Sequence, residues 1–156
     1  MQIRKAKEAD ISEIVSLTQI AWEGATIAEL LEKKYGIIEG KKWYEYKGKE
    51  IENFCKNNLN KVLVAEEDNK IVGYATYYLD KDRKVGTVGN NAVHPDFRGR
   101  GIGSALHKSV LEELKKADMK IAVVSTLEVD KPAQHIYEKH GFKELARTIH
   151  YSQELK

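Results

Sequence analysis

The stretch that decides the fold runs from Asn90 to Glu113 and reads NNAVHPDFRGRGIGSALHKSVLEE. A predicted strand ends at His94-Pro95, a glycine- and arginine-rich turn follows at residues 98–103, and an amphipathic helix comes next. The first N–H groups of a helix have no intrahelical partner, and the helix dipole adds partial positive charge there. This arrangement predicts a site for a phosphate-bearing ligand, and we expect a pyrophosphate.

Arginine side chains in this turn strengthen the positive field, and its glycines let the backbone approach a ligand without an intervening Cβ. The candidate ligand-binding residues of the turn are Arg98, Gly99, Arg100, Gly101, Ile102, Gly103 and Ser104.

Three kinds of glycine-rich loop compete for this stretch, beside a turn that joins a strand to a helix and binds nothing. A Walker loop requires a lysine after its last glycine, and Ile102-Gly103-Ser104 supplies none. A dinucleotide-binding loop requires a glycine where Ser104 stands, near the start of a βαβ unit, and this turn falls late in the chain. The third pattern, Arg/Gln-x-x-Gly-x-Gly/Ala, fits Arg98, Gly101 and Gly103.

A second motif follows at residues 130–142, DKPAQHIYEKHGF. Together the two stretches resemble motifs A and B of the GNAT family of N-acetyltransferases, whose motif B reads Asn-x-x-Ala-x-x-Leu-Tyr-x-x-x-Gly-Phe. Asp130 stands where the family has asparagine, and Ile136 replaces leucine. The resemblance covers roughly residues 60–147, and the motif B positions that match are Ala133, Tyr137, Gly141 and Phe142.

The pattern of predicted elements indicates one α+β domain over residues 1–156, built around a mixed sheet. The resemblance implies the acyl-CoA N-acyltransferase fold, which has three α/β/α layers and a mostly antiparallel sheet splayed between strands 4 and 5. Glycines at 86 and 89 predict a bulge or a close backbone approach within a strand. Strands are predicted at 2–6, 62–66, 71–78, 84–93, 119–126, 142–146 and 148–152, with the mostly apolar strand 119–126 buried on both faces. Helices are predicted at 11–22, 27–35, 41–59, 101–117 and 131–140, and residues 41–59 form either one helix or a pair broken near Gly48.

The activity that the resemblance implies is acetyl transfer from acetyl-CoA to a primary amine by direct attack. The pantetheine arm would pair with the main chain of Asn91, Ala92 and Val93, and an N–H near Ala92 or Val93 would stabilise the oxyanion. Asp130 would contact the same arm. The pKa of a phenol is about 10 and that of a thiol is about 8.5, so Tyr137 is protonated near neutral pH and can donate to the leaving sulfur. Tyr137 is therefore the predicted acid.

The general base stays open between Ser125, Glu128, Asp96, His94, His135 and ordered water. Aromatic residues between 22 and 46 pack the core or line an acceptor pocket, and they are Trp22, Tyr35, Trp43, Tyr44 and Tyr46.

Composition bounds the remaining classes of function. Lys and Arg number 26 against 24 Asp and Glu, and the net charge of +2 favours neither nucleic acid nor a membrane as partner. Cys55, the single cysteine, excludes an intrachain disulfide and fits a reducing compartment, so we expect a cytoplasmic protein without a metal. Homodimers are common in the resembled family. A non-catalytic acyl-CoA-binding regulator and a nucleotide-binding module are the alternative functions.

Overall fold

A five-stranded sheet with the order β1-β2-β3-β4-β5 forms the centre of the structure, a computed structural model that describes residues 1–155. Neighbouring strands from β1 to β4 are antiparallel, whereas β5 is parallel to β4. The strands are β1 (Gln2–Lys5), β2 (Val62–Glu67), β3 (Lys70–Asp80), β4 (Val85–Val93) and β5 (Ile121–Val123).

Helices cover both faces of the sheet, which confirms the three-layer α+β fold. On one face α1 and α3 pack on a core that includes Ile14, Ile51 and Tyr74. On the other face α4 packs on a core that includes Leu106 and Val110. Full burial of such a side chain contributes about 1.5–3 kcal/mol, so the two cores hold the layers together. The helices are α1 (Ile11–Ala21), α2 (Ile27–Tyr35), α3 (Trp43–Asn58), α4 (Ile102–Lys116) and α5 (Lys131–Lys139).

The sheet opens between β4 and β5, as the resemblance implies. Only Val85–Thr87 of β4 pairs with β5, so the second half of β4 has no partner on that side. The register between β3 and β4 shifts beside Gly89, where a Cβ would lie 2.5 Å from Thr76 Oγ1. At Gly86 a Cβ would lie 2.6 Å from Leu114 Cδ2. Both predictions for these glycines, a bulge and a close approach, are therefore confirmed.

Of the two alternatives for residues 41–59, the single helix is the one observed. Helix α3 is continuous through Gly48, which packs so closely against α1 that a Cβ there would lie 3.0 Å from Gln19 Nε2. The prediction for the fifth strand is wrong in its bounds and its burial. Strand β5 is shorter than residues 119–126 and is not buried on both faces, since Ile121 is 58% exposed. An edge strand needs ladder partners on one side only, and β4 provides them for three residues.

The two predicted closing strands, 142–146 and 148–152, are also wrong, because residues 142–155 contain no strand. Alternating apolar residues suit a strand, but a strand also requires a ladder partner, and the edge of β5 does not provide one here. The segment is instead held by side chains: Tyr35 Oη lies 2.7 Å from Ser152 Oγ, and Arg147 pairs with Glu128 at 2.9 Å. Its large apolar side chains are exposed, namely Leu145, Ile149, Tyr151 and Leu155.

Within residues 1–155, no helix combines the length and the hydropathy that a membrane crossing requires.

Candidate active site

The turn between β4 and α4 has a backbone that glycine permits. Gly99 and Gly101 have φ of 77° and 79°, and Gly101 precedes the first residue of α4. A Cβ on either residue would meet nothing within 4 Å. The left-handed conformation, rather than a lack of space, therefore requires glycine at both positions.

Peptide N–H groups of this turn are free to bind a ligand. Within the described part of the chain, the N–H groups of residues 99–104 donate to no acceptor, and no side chain caps α4. The same residues form the start of a 15-residue helix, whose dipole attracts an anion. The open space beside Gly99 and Gly101 and the unused donors fit the diphosphate of a coenzyme A molecule.

Both arginines of the turn have partners within the chain. Arg98 donates from Nη2 to Ala21 O at 2.8 Å and from Nε to Val93 O at 3.3 Å, which ties the end of α1 to the end of β4. Arg100 lies 3.2 Å from Glu67 and covers the ring of Phe97. Their charge still contributes to the field at the turn, while their guanidinium groups hold the turn to the rest of the fold.

The opening between β4 and β5 leads to a small cavity of about 20 Å³, which residues of β4, α4 and α5 line. His94 N–H donates to Val72 O at 2.8 Å, and polar groups alternate along an antiparallel ladder. The main-chain groups of Asn91 and Val93 therefore point away from β3, toward the opening. The residues that line the cavity are Tyr74, Ala75, Val88, Asn91, Ala92, Val93, Gly103, Leu106, His107, Ala133, Ile136 and Tyr137.

Tyr137 lies on α5 with only 9% of its surface exposed. Burial raises the pKa of its phenol, and the Asn91 side chain opposes this rise in part. The phenol is consequently protonated at neutral pH and can donate its proton. Tyr137 and the main chain of β4 thus meet at one cavity, as the predicted site requires.

His107 is a cavity residue that sequence reasoning missed. Its imidazole is 4% exposed, and burial, followed by the charge of His140, lowers its pKa to about 4. Its Nε2 atom has no hydrogen-bond partner within residues 1–155. The available signal was a histidine in the buried stripe of α4, beside Leu106 and three residues before Val110.

None of the five side chains considered as general base lines the cavity. His94 Nδ1 accepts the N–H of Asp96 at 3.2 Å, and Asp96 is exposed. His135, Ser125 and Glu128 are exposed as well.

Asp130 begins α5: its side chain accepts the N–H of Ala133 at 3.2 Å and a hydrogen bond from Thr126 at 3.3 Å. The aspartate at the family's asparagine position therefore has a capping role in this chain.

A polar cluster lies on the opposite face of β4. Lys47 Nζ is 2.9 Å from Asn90 Oδ1 and 3.1 Å from Glu50 Oε1, and it lies 4.3 Å from the centre of the Trp22 ring. Trp22 in turn donates to Tyr74 Oη at 3.1 Å. Five aromatic residues between 22 and 46 were candidates for the core or an acceptor pocket. Among them, Trp22 contacts the cavity residue Tyr74.

Comparisons with known proteins identify the family of the chain. The family model described as Acetyltransferase (GNAT) family matches residues 24–142. The chain therefore belongs to the acetyltransferase (GNAT) family. The predicted membership of this family is therefore confirmed.

An N-acetyltransferase of Methanocaldococcus jannaschii, described as uncharacterized, is 29% identical over 147 residues, which cover 91% of this chain and 60% of that protein. A solved structure from Pyrococcus horikoshii has a TM-score of 0.71 at 26% identity and covers 94% of this chain and 91% of its own. A GNAT acetyltransferase of Brucella melitensis in complex with acetyl-CoA has a TM-score of 0.64 at 23% identity, with coverage of 97% and 91%. The chain spans 52% and 60% of the length of two curated relatives that it matches.

Proposed function

We propose that this domain transfers the acetyl group of acetyl-CoA to a primary amine by direct attack within a ternary complex. The observation that carries the proposal is a buried, protonated phenol, Tyr137, at the cavity into which the opened β4 strand leads. A domain that only bound an acyl-CoA would need the turn and the opening, but not a proton donor at this place.

Binding would begin at the turn, where the free N–H groups of residues 99–104 would hold the diphosphate. The pantetheine arm would then extend along β4 as an additional strand, using the outward main-chain groups of Asn91 and Val93. This pairing accounts for a sheet that opens after Thr87. The thioester would arrive beside Tyr137.

In the chemical step, the lone pair of a neutral amine attacks the thioester carbonyl carbon. The Val93 N–H points away from β3 and would stabilise the oxyanion, which makes it a better candidate than Ala92. The carbon–sulfur bond then breaks, and the departing thiolate takes the proton of Tyr137. The pKa of a thiol is about 8.5, whereas burial raises the pKa of the Tyr137 phenol above 10. Transfer of the proton to sulfur therefore relies on the negative charge that develops on the sulfur as the carbon–sulfur bond breaks.

A protonated amine must lose one proton before attack, and the nitrogen of the tetrahedral intermediate loses a second as the carbon–sulfur bond breaks. None of the five candidate side chains lines the cavity, so we propose that ordered water takes both protons and that solvent returns one to the Tyr137 phenolate. On the far face of β4, Asn90 contacts Lys47 and Glu50 of α3, and this polar cluster could orient this water or the acceptor.

The test combines binding with turnover. Calorimetry with acetyl-CoA should give binding, and release of free thiol should depend on an amine from a panel that contains a peptide N-terminus, lysine, a polyamine, an amino acid and an aminoglycoside. Binding without turnover for every amine would support a regulator in place of an enzyme. Thermal protection by ATP or NAD, without protection by acetyl-CoA, would support a nucleotide-binding module.

A further inference from the structure

The opening between β4 and β5 can be reached from both faces of the sheet, and the cavity lies on one of them. Side chains alternate along a strand, so Asn91 lines the cavity beside α4 and α5, whereas its neighbour Asn90 points to α3 on the other face. When the thioester of the cofactor occupies the cavity, as proposed above, the acceptor amine must reach it from the side of α3.

Solvent has access to the opening from this side. Helices α1 and α3 cover the sheet as far as Ala92 of β4, but they do not cover β5, where Ile121 is 58% exposed. The neighbouring Ala122 packs on the core beneath α4, so the exposed side chain of Ile121 lies on the α3 side. An acceptor can therefore approach the open half of β4, residues 88–93, along this face.

Glu50 of α3 places a carboxylate at this approach. Its Oε1 atom accepts hydrogen bonds from Asn90 Nδ2 at 3.3 Å and from Lys47 Nζ at 3.1 Å. Asn90 lies three residues beyond Thr87, the last residue of β4 that pairs with β5. Among residues 1–155, no other carboxylate contacts the open half of β4 through a hydrogen bond or an ion pair.

The contacts of Glu50 fix one carboxylate oxygen and leave the other unused. Both bonds go to Oε1, and Oε2 accepts no hydrogen bond within the part of the chain that the structure describes. The side chain is 59% exposed, so water reaches the carboxylate. Lys47, which holds Oε1, is itself held by Asn90 Oδ1 at 2.9 Å and lies 4.3 Å from the centre of the Trp22 ring.

We propose that Glu50 is a positioning residue for the proton path: its Oε2 accepts a hydrogen bond from the ordered water that takes the protons of the acceptor amine. This inference rests on the proposed acetyltransferase function and assigns the next group in that path. A carboxylate is a far stronger base than water, so a water that can pass a proton to Oε2 takes one from the nitrogen more readily.

The transfer balances in each of its two uses. The nitrogen gives a proton to the water and keeps the electron pair, while the water gives one of its own protons to Oε2. The exposed carboxyl group then releases this proton to solvent, so the same path serves the second proton.

Glu50→Gln tests the inference with the least disturbance. The amide oxygen still accepts from Lys47 and Asn90 in the place of Oε1, but the amide NH2 in the place of Oε2 takes up no proton. We expect kcat to fall about tenfold or more, because assistance by a general base is lost. The Kd of acetyl-CoA from calorimetry should stay within about twofold, because the cofactor binds on the other face.

Glu52→Gln is the matched control on the same helix. Glu52 pairs with Lys49 and Lys56 and has no contact with β4. This variant removes the same charge from α3, and its kcat should equal that of wild type. A general effect of charge would lower kcat in both variants.

Chemical rescue separates proton transfer from a structural role. Glu50→Ala leaves space beside Lys47, and formate, a small carboxylate, should raise its kcat at least about threefold over chloride at the same ionic strength. Formate should not help Glu50→Gln, because the glutamine side chain fills that space. A purely structural role, in which Glu50 only balances the charge of Lys47, predicts a lower Tm in both variants and no effect of formate on kcat.

The outcomes distinguish this inference from the function on which it rests. A kcat within about threefold of wild type in Glu50→Gln, or a loss in Glu50→Ala that formate does not reverse, would overturn the role of Glu50 while wild-type turnover still supported the acetyltransferase. If the wild type bound acetyl-CoA but acetylated no amine of the panel, the proposed function would fail, and the role of Glu50 with it.

Discussion

The turn at residues 98–104 and the cavity around Tyr137 are the two ends of one proposed site, yet they are built in opposite ways. The turn is largely exposed and offers peptide N–H groups, with two glycines at positive φ. The cavity is buried and offers side chains whose pKa values are displaced from their ordinary range. At the turn, the backbone conformation should therefore decide which substitutions are tolerated. In the cavity, the chemical groups of the side chains should decide this.

The largest effect is expected at the cavity. Tyr137→Phe removes one oxygen and keeps the ring, and we expect kcat to fall about a hundredfold, since a general acid contributes about 10²- to 10⁴-fold. Binding of acetyl-CoA by calorimetry should stay within about twofold, because the turn is untouched. A variant that kept a third or more of the wild-type kcat in the thiol-release assay would remove Tyr137 from the chemistry.

The next effect is expected at the turn. Gly101→Val forces a β-branched residue into the left-handed region, where an ordinary residue costs about 1–2 kcal/mol, and should weaken acetyl-CoA binding at least about tenfold. Gly101→Asn is the matched control, because asparagine tolerates this conformation. Calorimetry should show a clearly smaller loss for Asn. Equal losses for Val and Asn would mean that space for the ligand, rather than φ, is what glycine provides.

A third prediction concerns stability against pH. The pKa of His107 is lowered to about 4, below the ordinary value of 6.5, so the unfolded chain binds a proton that the folded chain does not. Stability should therefore decline as the pH falls from about 6.5 to about 4. His107→Leu should lose this decline, as Tm measured between pH 7.5 and 4 will show.

Carboxylates provide the internal reference for that measurement. The pKa of Glu113 is lowered to about 2, first by Lys5 and then by Lys116, so its contribution is lost mainly below pH 4.5 and equally in both proteins. Parallel Tm curves for wild type and His107→Leu between pH 6.5 and 4.5 would contradict the neutral, buried imidazole.

The smallest effects are expected for the two arginines of the turn, and they should differ from each other. Arg98→Ala loses two bonds to main-chain oxygens on different elements and should lower Tm by about 2–4 °C. Arg100→Ala loses one exposed ion pair, worth about 0–1 kcal/mol, and should change Tm and the Kd of acetyl-CoA little. A Kd raised more than tenfold in Arg100→Ala would shift the binding role from the peptide N–H groups to the guanidinium.

Local sequence was sufficient for the elements that depend on neighbouring residues. The turn needs glycine at 99 and 101 because of their φ, and the hairpin between β2 and β3 follows from its pattern of apolar residues. The bulge at Gly89 could be predicted because a glycine within a strand favours one. Motif spacing also predicted Tyr137 as a site residue, because α5 carries both Ala133 and Tyr137 of motif B.

Contacts between distant segments could not be predicted in this way. Asp10 and Glu13 have the spacing of a capping box at the start of α1. In the structure Asp10 instead pairs with Arg4 at 2.7 Å, and Glu13 accepts the N–H of Ile71 at 2.9 Å. Nothing near Arg98 in the chain indicated its bond to Ala21.

His107 illustrates the same division within the candidate site. Its position on the buried stripe of α4 follows from helical period, but its approach to Tyr137 depends on how α5 packs on α4. The segment after Phe142 has the alternation of a strand and no ladder partner, so it forms none. Propensity and period act over a few residues along the chain, whereas pairing, burial and displaced pKa values depend on which segments the fold brings together.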